Sequence, residues 1–202
     1  MTGRGRRVLF CRSTAGDDPV LCLWCFDLDT GEERLLVDPS DLGAVDAELP
    51  PAERARRERA RESASGIVAY SVDAEGTRCC FALAGGLFVV DIADGRIVSP
   101  ATTGSVFDPQ LDRQGTAVAY SDSGSLRLCT LPGDGSSIDR ALRADDDPLV
   151  NHGRAEFVAA EEMQRSRGFW WAPDGSCLLA TRVDETPVSP WWIADPAHPE
   201  RP

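Results

Sequence analysis

Short apolar runs of five to seven residues, rich in β-branched, aromatic and Cys side chains, recur along the chain between clusters of Gly and Asp. Runs of this length that are bounded by turn residues predict β-strands. Seven strands are predicted in this way: Leu21–Asp27, Gly66–Val72, Cys79–Leu83, Leu87–Ile92, Thr116–Tyr120, Leu126–Leu131 and Cys177–Val183. The pattern therefore favours an all-β protein with many strands.

The predicted strands also repeat. Leu87–Gly95 is similar to Leu23–Gly31, since both consist of an apolar run, an Asp, three further residues and a Gly. A turn that ends in Gly precedes a strand at three places: Asp73–Gly76, Asp112–Gly115 and Ala172–Gly175. Gly76 and Gly115 are 39 residues apart, close to the roughly 40–45 residues of a four-stranded propeller blade. We therefore predict a partial β-propeller of three to four four-stranded blades.

Two intervals between repeats exceed this period by about 20–25 residues. The first surplus covers about 48–63, where prolines lead into good helix formers and Gly66 follows, so we predict a surface helix. The second covers about 143–168, with a short helix predicted around Ala159–Arg165. Inserts leave a repeat array on one face, often the face that binds ligands. We therefore look for function in these two inserts.

Composition and charge narrow the function classes. The chain has 202 residues, of which 42% are apolar and 27% charged, and its net charge is −12. All 21 basic residues are Arg. This balance disfavours nucleic acid and anionic membranes as partners, because both require clustered positive charge. We find neither an apolar run of about 20 residues nor a signal-peptide core, so we predict a cytoplasmic protein.

The seven cysteines do not form a recognisable metal motif. Cys22 and Cys25 have the C-x-x-C spacing, but a zinc site needs a second pair or two suitably spaced histidines. The two histidines are His152 and His198. We predict reduced thiols packed as small apolar groups, and neither a metal nor another cofactor.

The chain also lacks a recognisable catalytic centre. No serine lies in the G-x-S-x-G frame of an α/β-hydrolase, and no phosphate-binding glycine motif occurs. Neither His152 nor His198 has a nucleophile at a motif spacing. We therefore predict no catalytic residue within this chain.

Glu161 and Glu162 form an adjacent acidic pair in the second predicted helix. One interpretation is a solvated helix face, on which Glu161 and Arg165 form a weak i, i+4 ion pair. The other is a cation site, in which both carboxylates bind one ammonium through charge-assisted hydrogen bonds. Adjacent helical side chains diverge by about 100°, so the ammonium would lie between them or at the helix end.

The Arg-rich first insert has two similar interpretations. One is a surface helix with intrahelical ion pairs, such as Glu53 with Arg57 and Glu58 with Arg61. The other is a helix that supplies an Arg to a central cavity, where its guanidinium binds a carbonyl or a carboxylate.

Several segments resemble the dipeptidyl peptidase IV family, and most closely its cytosolic branch. Glu161–Pro173 is similar to the family's E-E-[FM]-x-R-x-x-G-[YF]-W-W-x-P segment, and Val183–Val188 to its V-D-E-S-x-V strand. Arg57–Arg61 and Gly66–Tyr70 resemble the R-E-R-K-R helix and the G-I-x-x-Y strand of that branch. The likeness covers most of Leu49–Asp195.

This resemblance implies a serine-type exopeptidase that removes N-terminal dipeptides, preferably with Pro or Ala second. In the family an eight-bladed propeller caps an α/β-hydrolase domain, and the full-length proteins form homodimers. The resemblance assigns the binding of the peptide's α-ammonium to Glu161 and Glu162. It assigns the binding of a substrate carbonyl to Arg61. Arg59 is the alternative if the alignment with the family's helix is shifted.

The chain departs from the family pattern in extent. It holds about half of the expected repeats and no hydrolase segment, and its last strand-like run is Pro190–Ala194. We therefore expect residues 1–202 to be the N-terminal part of a longer peptidase, inert by itself, whose partners are peptide N-termini and the hydrolase domain. The alternative is a non-enzymatic β-propeller scaffold that binds peptides or proteins.

Overall fold

Antiparallel β-strands make up most of the chain in a computed structural model that describes residues 6–43, 47–131 and 136–189. The strands are β1 Arg7–Arg12, β2 Val20–Asp27, β3 Glu33–Val37, β4 Ser65–Gly66, β5 Ser71–Val72, β6 Arg78–Leu83, β7 Gly86–Asp91, β8 Ile97–Val98, β9 Phe107–Leu111, β10 Ala117–Asp122, β11 Ser125–Thr130, β12 Ile138–Arg143, β13 Val150–His152, β14 Phe169–Trp171, β15 Leu178–Ala180 and β16 Arg182–Asp184. The helices are α1 Pro51–Ala60 and α2 Phe157–Glu162, and Pro39–Leu42 forms a 3₁₀ turn.

The strands form successive antiparallel sheets in chain order. Strands β5 to β8 form one four-stranded sheet and β9 to β12 the next. Before them, β1, β2 and β3 pair in order, and the short β4 adds in parallel to the start of β2. After them come two ribbons, β13 with β16 and β14 with β15. Four-stranded antiparallel sheets in sequence are the blades of a propeller, so the predicted all-β class and blade pattern are confirmed.

A buried aspartate closes the turn between the first two strands of a blade. The Asp112 carboxylate accepts hydrogen bonds from the Thr116 amide at 2.7 Å, the Thr116 hydroxyl at 2.8 Å and the Ala117 amide at 3.1 Å. Asp73 accepts the same three kinds of bond one blade earlier. Each carboxylate therefore satisfies backbone donors that the tight turn would otherwise leave unpaired.

These turns also join neighbouring blades. The Arg78 guanidinium donates to the Gly115 carbonyl at 2.9 Å, and the Ala74 amide donates to the Arg113 carbonyl at 3.0 Å. Gly115 has a φ of +70°, and a Cβ at this position would lie 2.8 Å from an Asp73 carboxylate oxygen. Only glycine fits both this backbone conformation and this space. Backbone conformation and packing together therefore explain the glycine at this position of the turn.

The core consists of apolar layers between successive sheets. Cys79 lies in the layer between the first two sheets, whereas the adjacent Cys80 lies in the next layer with Tyr120. This is the alternation expected of a strand that is buried on both faces. Burial, followed by the charge of Asp73, raises the pKa of the Cys79 thiol to about 12. The thiol is therefore protonated at neutral pH and packs as an apolar group.

Two predicted strands are wrong in extent. Gly66–Val72 is not one strand, because only its ends pair: Gly66 with Leu21 in parallel, and Ser71–Val72 within the next sheet. Gly66 has a φ of +75°, which turns the chain away from an extended course. Cys177–Val183 is divided at Thr181 between β15 and β16. Pro190–Ala194 lies outside the described residues.

Both predicted insert helices are present but shorter than predicted. The first occupies Pro51–Ala60 within 48–63, and the second occupies Phe157–Glu162 rather than Ala159–Arg165. Within the ranges that the structure describes, neither helix is long and apolar enough to cross a membrane. Both segments directly precede the first strands of a blade or ribbon, so they lie at the opposite end of the blades from the Asp turns.

The turn network makes a stability prediction. Replacement of Asp112 by Ala should lower the free energy of unfolding by about 2–3 kcal/mol, because it leaves buried donors unpaired. Urea unfolding followed by circular dichroism measures the loss. Asp174→Ala is the matched control, since the exposed Asp174 caps only Ser176 in the third turn and should cost much less. Equal losses would contradict the proposed role of the buried carboxylate.

Candidate functional site

The two insert helices enclose a cavity of about 860 Å³. Its walls are formed by α1, by α2 with the residues that follow it, by Phe107 at the start of β9, and by the segment Asn151–Ala155. Strand β9 runs from this cavity to the Asp112 turn. The cavity therefore opens at the end of the blades where the inserts gather.

Ion pairs hold α1 in place, since none of its residues is buried. The Glu53 carboxylate accepts hydrogen bonds from Arg56 at 2.8 Å and from Arg57 at 2.7 Å. Arg56 also donates to Glu62 at 2.6 Å, and Arg57 donates to the Ala64 carbonyl at 2.9 Å. This network joins the helix to the segment that follows it. The predicted Glu53–Arg57 pair is confirmed.

Glu53 titrates below the usual range for a glutamate. Burial raises its pKa, but the hydrogen bonds and charges of Arg56 and Arg57 lower it by more, and the net shift is downward. The carboxylate is therefore ionised at neutral pH and stabilises the helix only in that form.

Helix α2 begins at a capping carboxylate. Glu156 accepts hydrogen bonds from the Val158 amide at 2.6 Å and the Ala159 amide at 2.7 Å, which satisfies two free donors of the first turn. Ala159 is buried and anchors the helix. Gln164 has a φ of +51°, so the chain leaves the helical path just after Glu162.

This early end changes the ion pair expected of Glu161. Arg165 lies beyond the helix and donates to the Arg167 carbonyl at 2.8 Å. Glu161 instead accepts from the Nε of Arg59 on α1 at 3.1 Å. The Arg59 guanidinium also lies 5.5 Å from the centre of the Phe157 ring. The contact between the two inserts, 102 residues apart, therefore joins one of the predicted acids to one of the predicted arginines.

The other two candidate residues lie nearby. Arg61 lines the cavity and ends α1 in the left-handed conformation, with a φ of +50°. Its side chain is exposed and forms no hydrogen bond with any other residue that the structure describes. Glu162 is exposed on α2 and does not line the cavity, whereas Glu161 does. The structure therefore brings Glu161, Arg59 and Arg61 to one cavity and leaves Glu162 beside it.

An ion pair that was not predicted from the sequence positions the segment after α2. The Arg167 guanidinium binds the Asp108 carboxylate through two hydrogen bonds, of 2.7 and 2.8 Å. Asp108 has a φ of +47° and also accepts from the Gln110 side-chain amide at 2.7 Å. No local pattern indicates this pair, because its members are 59 residues apart. Asn151 and Arg154 also lie on the cavity wall, and no motif in the sequence marks them.

In the described ranges, no group of three or more His, Cys, Asp or Glu side chains is arranged to hold a metal ion. Cys22 and Cys25 are both buried free thiols.

Comparisons with known proteins place this geometry in context. A family model for the dipeptidyl peptidase IV (DPP IV) N-terminal region matches residues 70–202. The β-propeller domain of Cps50 (Swd1) from Myceliophteria thermophila superposes with a TM-score of 0.54 at 14% identity, over 90% of this chain and 47% of that chain. Dipeptidyl peptidase 4 from Porphyromonas gingivalis superposes with a TM-score of 0.54 at 13% identity, over 88% of this chain and 24% of that chain.

The sheets and these two similar structures show that the chain is part of a β-propeller. Because both structures are distant in sequence, they show the fold alone. The family match covers about two thirds of the chain. The chain therefore belongs to the family of dipeptidyl peptidase IV N-terminal regions. It spans about half the length of the first structural relative and a quarter of the second.

The α1 network predicts a pH-dependent contribution to stability. Because the folded pKa of Glu53 is lowered, its contribution is complete above the unfolded pKa of about 4.3 and is lost as the pH falls through the folded value. Glu53→Gln should therefore cost about 1–2 kcal/mol at pH 7 and clearly less at pH 3. Urea unfolding at both pH values measures this difference.

The matched control is Glu58→Gln on the same helix, because Glu58 is exposed. It should change stability little at either pH. A Glu53→Gln loss that is the same at pH 7 and pH 3 would show that the charged form has no special role.

Proposed function

We propose that this chain is the substrate-binding propeller portion of a serine-type dipeptidyl peptidase, and that its cavity holds the N-terminus of a peptide. Family membership and the propeller fold support the peptidase assignment. The observation that carries the binding site is the position of Glu161, whose carboxylate lies on the cavity wall and already binds a guanidinium.

A peptide α-ammonium suits this carboxylate. It carries a positive charge and three N–H donors, while a glutamate offers two oxygens with several acceptor positions. Only one Glu161 oxygen, Oε2, accepts from Arg59, so Oε1 is available to a second cation. In the proposed complex the ammonium lies at the end of α2, between Glu161 and Glu162. Adjacent helical side chains point in different directions, and at this position both carboxylates can contact the ammonium.

The arrangement also suggests how the two arginines divide their roles. Arg59 is engaged with Glu161 and the Phe157 ring, whereas Arg61 lines the same cavity with an exposed guanidinium. We assign Arg61 to a carbonyl of the bound peptide, because a guanidinium donates in a planar fork that suits carbonyl oxygens. Arg59 then holds Glu161 toward the cavity.

In this proposal, binding and cleavage belong to different parts of a longer protein. This chain selects the peptide's N-terminus, and an α/β-hydrolase domain supplies the catalytic serine, aspartate and histidine. Cleavage after the second residue follows, because an anchored ammonium sets the distance to the nucleophile. The full-length protein would be a cytoplasmic homodimer near the cytosolic branch of the family, without cofactor, nucleic acid or membrane partners. The chain alone would be inert.

Calorimetric titration with the pentapeptide Ala-Pro-Ala-Ala-Val tests the ammonium site. N-acetylation of the peptide should weaken binding at least tenfold, because it removes the charge that the carboxylates bind. Glu161→Gln and Glu162→Gln should each weaken binding of the free peptide by about tenfold and leave the acetylated peptide unaffected. Glu58→Gln, on the outer side of α1, is the matched control and should bind like the parent chain.

Two outcomes would contradict the proposal. If the acetylated and free peptides bind equally, the cavity does not recognise an ammonium. If the gene continues past codon 202 without a G-x-S-x-G frame and no hydrolase is encoded beside it, the scaffold alternative replaces the peptidase. An Ala-Pro chromogenic substrate should stay uncleaved by this chain, and turnover would disprove its inertness.

A further inference from the structure

The cavity wall contains two buried polar atoms that lack hydrogen-bond partners. Among the described residues, Asn151 Oδ1 and Arg154 Nε are buried and form no hydrogen bond. Both residues line the same cavity as Glu161. Buried polar atoms are almost always paired, because an unpaired one loses its hydration without compensation. Both atoms belong to residues of one cavity wall, and they would gain partners if their side chains turned toward a ligand in the cavity.

The backbone holds both side chains in defined positions. Asn151 is the central residue of β13 and pairs with Val183 of β16. Arg154 forms an antiparallel bridge with Arg167, and its carbonyl accepts from the Thr181 hydroxyl at 2.8 Å. The backbone of both residues is therefore fixed, so only their side chains have to move to reach a ligand in the cavity.

The charge around Arg154 restricts the kind of ligand. Burial lowers the pKa of Arg154, while the charges of Glu185 and Asp122 act in the opposite direction. The guanidinium stays protonated at neutral pH in any case. Glu185 also lines the cavity. The positive charge of Arg154 therefore already has acidic neighbours, which disfavours an anionic ligand. A neutral hydrogen-bond acceptor is the better partner for Arg154 Nε.

The two atoms also differ in hydrogen-bonding character. Arg154 Nε is a donor, whereas Asn151 Oδ1 is an acceptor. A carboxylate or phosphate would satisfy the donor but leave the acceptor unpaired. A backbone amide satisfies both, because its C=O accepts and its N–H donates.

We propose that Asn151 and Arg154 form a second subsite in the cavity, which binds the backbone of a peptide. Arg154 Nε donates to a carbonyl oxygen, and Asn151 Oδ1 accepts from a backbone N–H. This inference rests on the proposed function, since it concerns the same peptide whose ammonium Glu161 binds. It adds a sequence-independent contact that a free amine or a single amino acid cannot make.

Ester substitution in the ligand tests the subsite without disturbing the fold. In Ala-Pro-Ala-Ala-Val, the N–H of the third, fourth or fifth residue is replaced in turn by an ester oxygen, which removes one donor. Calorimetric titration of the parent chain should show that one of the three esters binds about three- to tenfold more weakly than the all-amide peptide. The other two should bind like the all-amide peptide.

Variants of the protein then connect that donor to Asn151. In Asn151→Ala, the sensitive ester and the all-amide peptide should bind with equal affinity. Arg154→Lys, which keeps the charge but removes Nε, should weaken all the peptides by about three- to tenfold. Arg113→Lys is the matched control, because Arg113 is exposed at the other end of the blades. Unfolding midpoints confirm that each variant is folded.

The outcomes separate this inference from the proposed function. If all three esters bind the parent chain like the amide, or if the ester effect persists in Asn151→Ala, the subsite is wrong. Sensitivity to N-acetylation would then still support the ammonium site. An ester effect that Asn151→Ala abolishes, without sensitivity to N-acetylation, would support the subsite and contradict the ammonium site. If the parent chain binds none of the peptides, both are wrong.

Discussion

The interaction on which the rest of the structure depends is the set of hydrogen bonds to the buried carboxylates of Asp73 and Asp112, in the turns of the two four-stranded antiparallel blades. Asp73 and Asp112 each accept three hydrogen bonds, from the threonine that precedes the next strand and from the first residue of that strand. The turns also contact each other through the bond from Arg78 to the Gly115 carbonyl. This fixes the position of one blade against the next at one end. The inserts lie at the opposite end, where they meet around the cavity.

The inserts themselves are held by a different kind of interaction. Helix α1 has no buried residue and depends on the ion pairs of Glu53 and on the contact between Arg59 and Glu161. The Arg59–Glu161 pair is partly exposed, and an ion pair of this kind contributes little to stability. These ion pairs do, however, place Arg56, Arg59 and Glu161 on the cavity wall, among apolar residues such as Phe107 and Phe157. In the proposed complex Glu161 binds the charged N-terminus of the peptide.

Most of the blade pattern was predictable because its determinants are local. The Asp-x-x-Gly turns and the apolar runs after them are short segments whose residue types specify their conformation. Strand β12 was missed because Ile138–Arg143 lies at a sheet edge, where mostly exposed side chains remove the apolar signal. Gly66–Val72 was predicted as one strand because its apolar residues gave no sign of the positive φ at Gly66.

The amino-acid sequence by itself determined the repeat, the places of both inserts and the acidic pair that marks the candidate site. Only the tertiary structure decided that Glu161 rather than Glu162 faces the cavity, and that Arg59 is its partner. It also decided the pairing of Arg167 with Asp108. The physical reason is that these contacts join residues 59 and 102 positions apart. Side-chain direction at such distances depends on how blades and helices pack, and no local pattern encodes that packing.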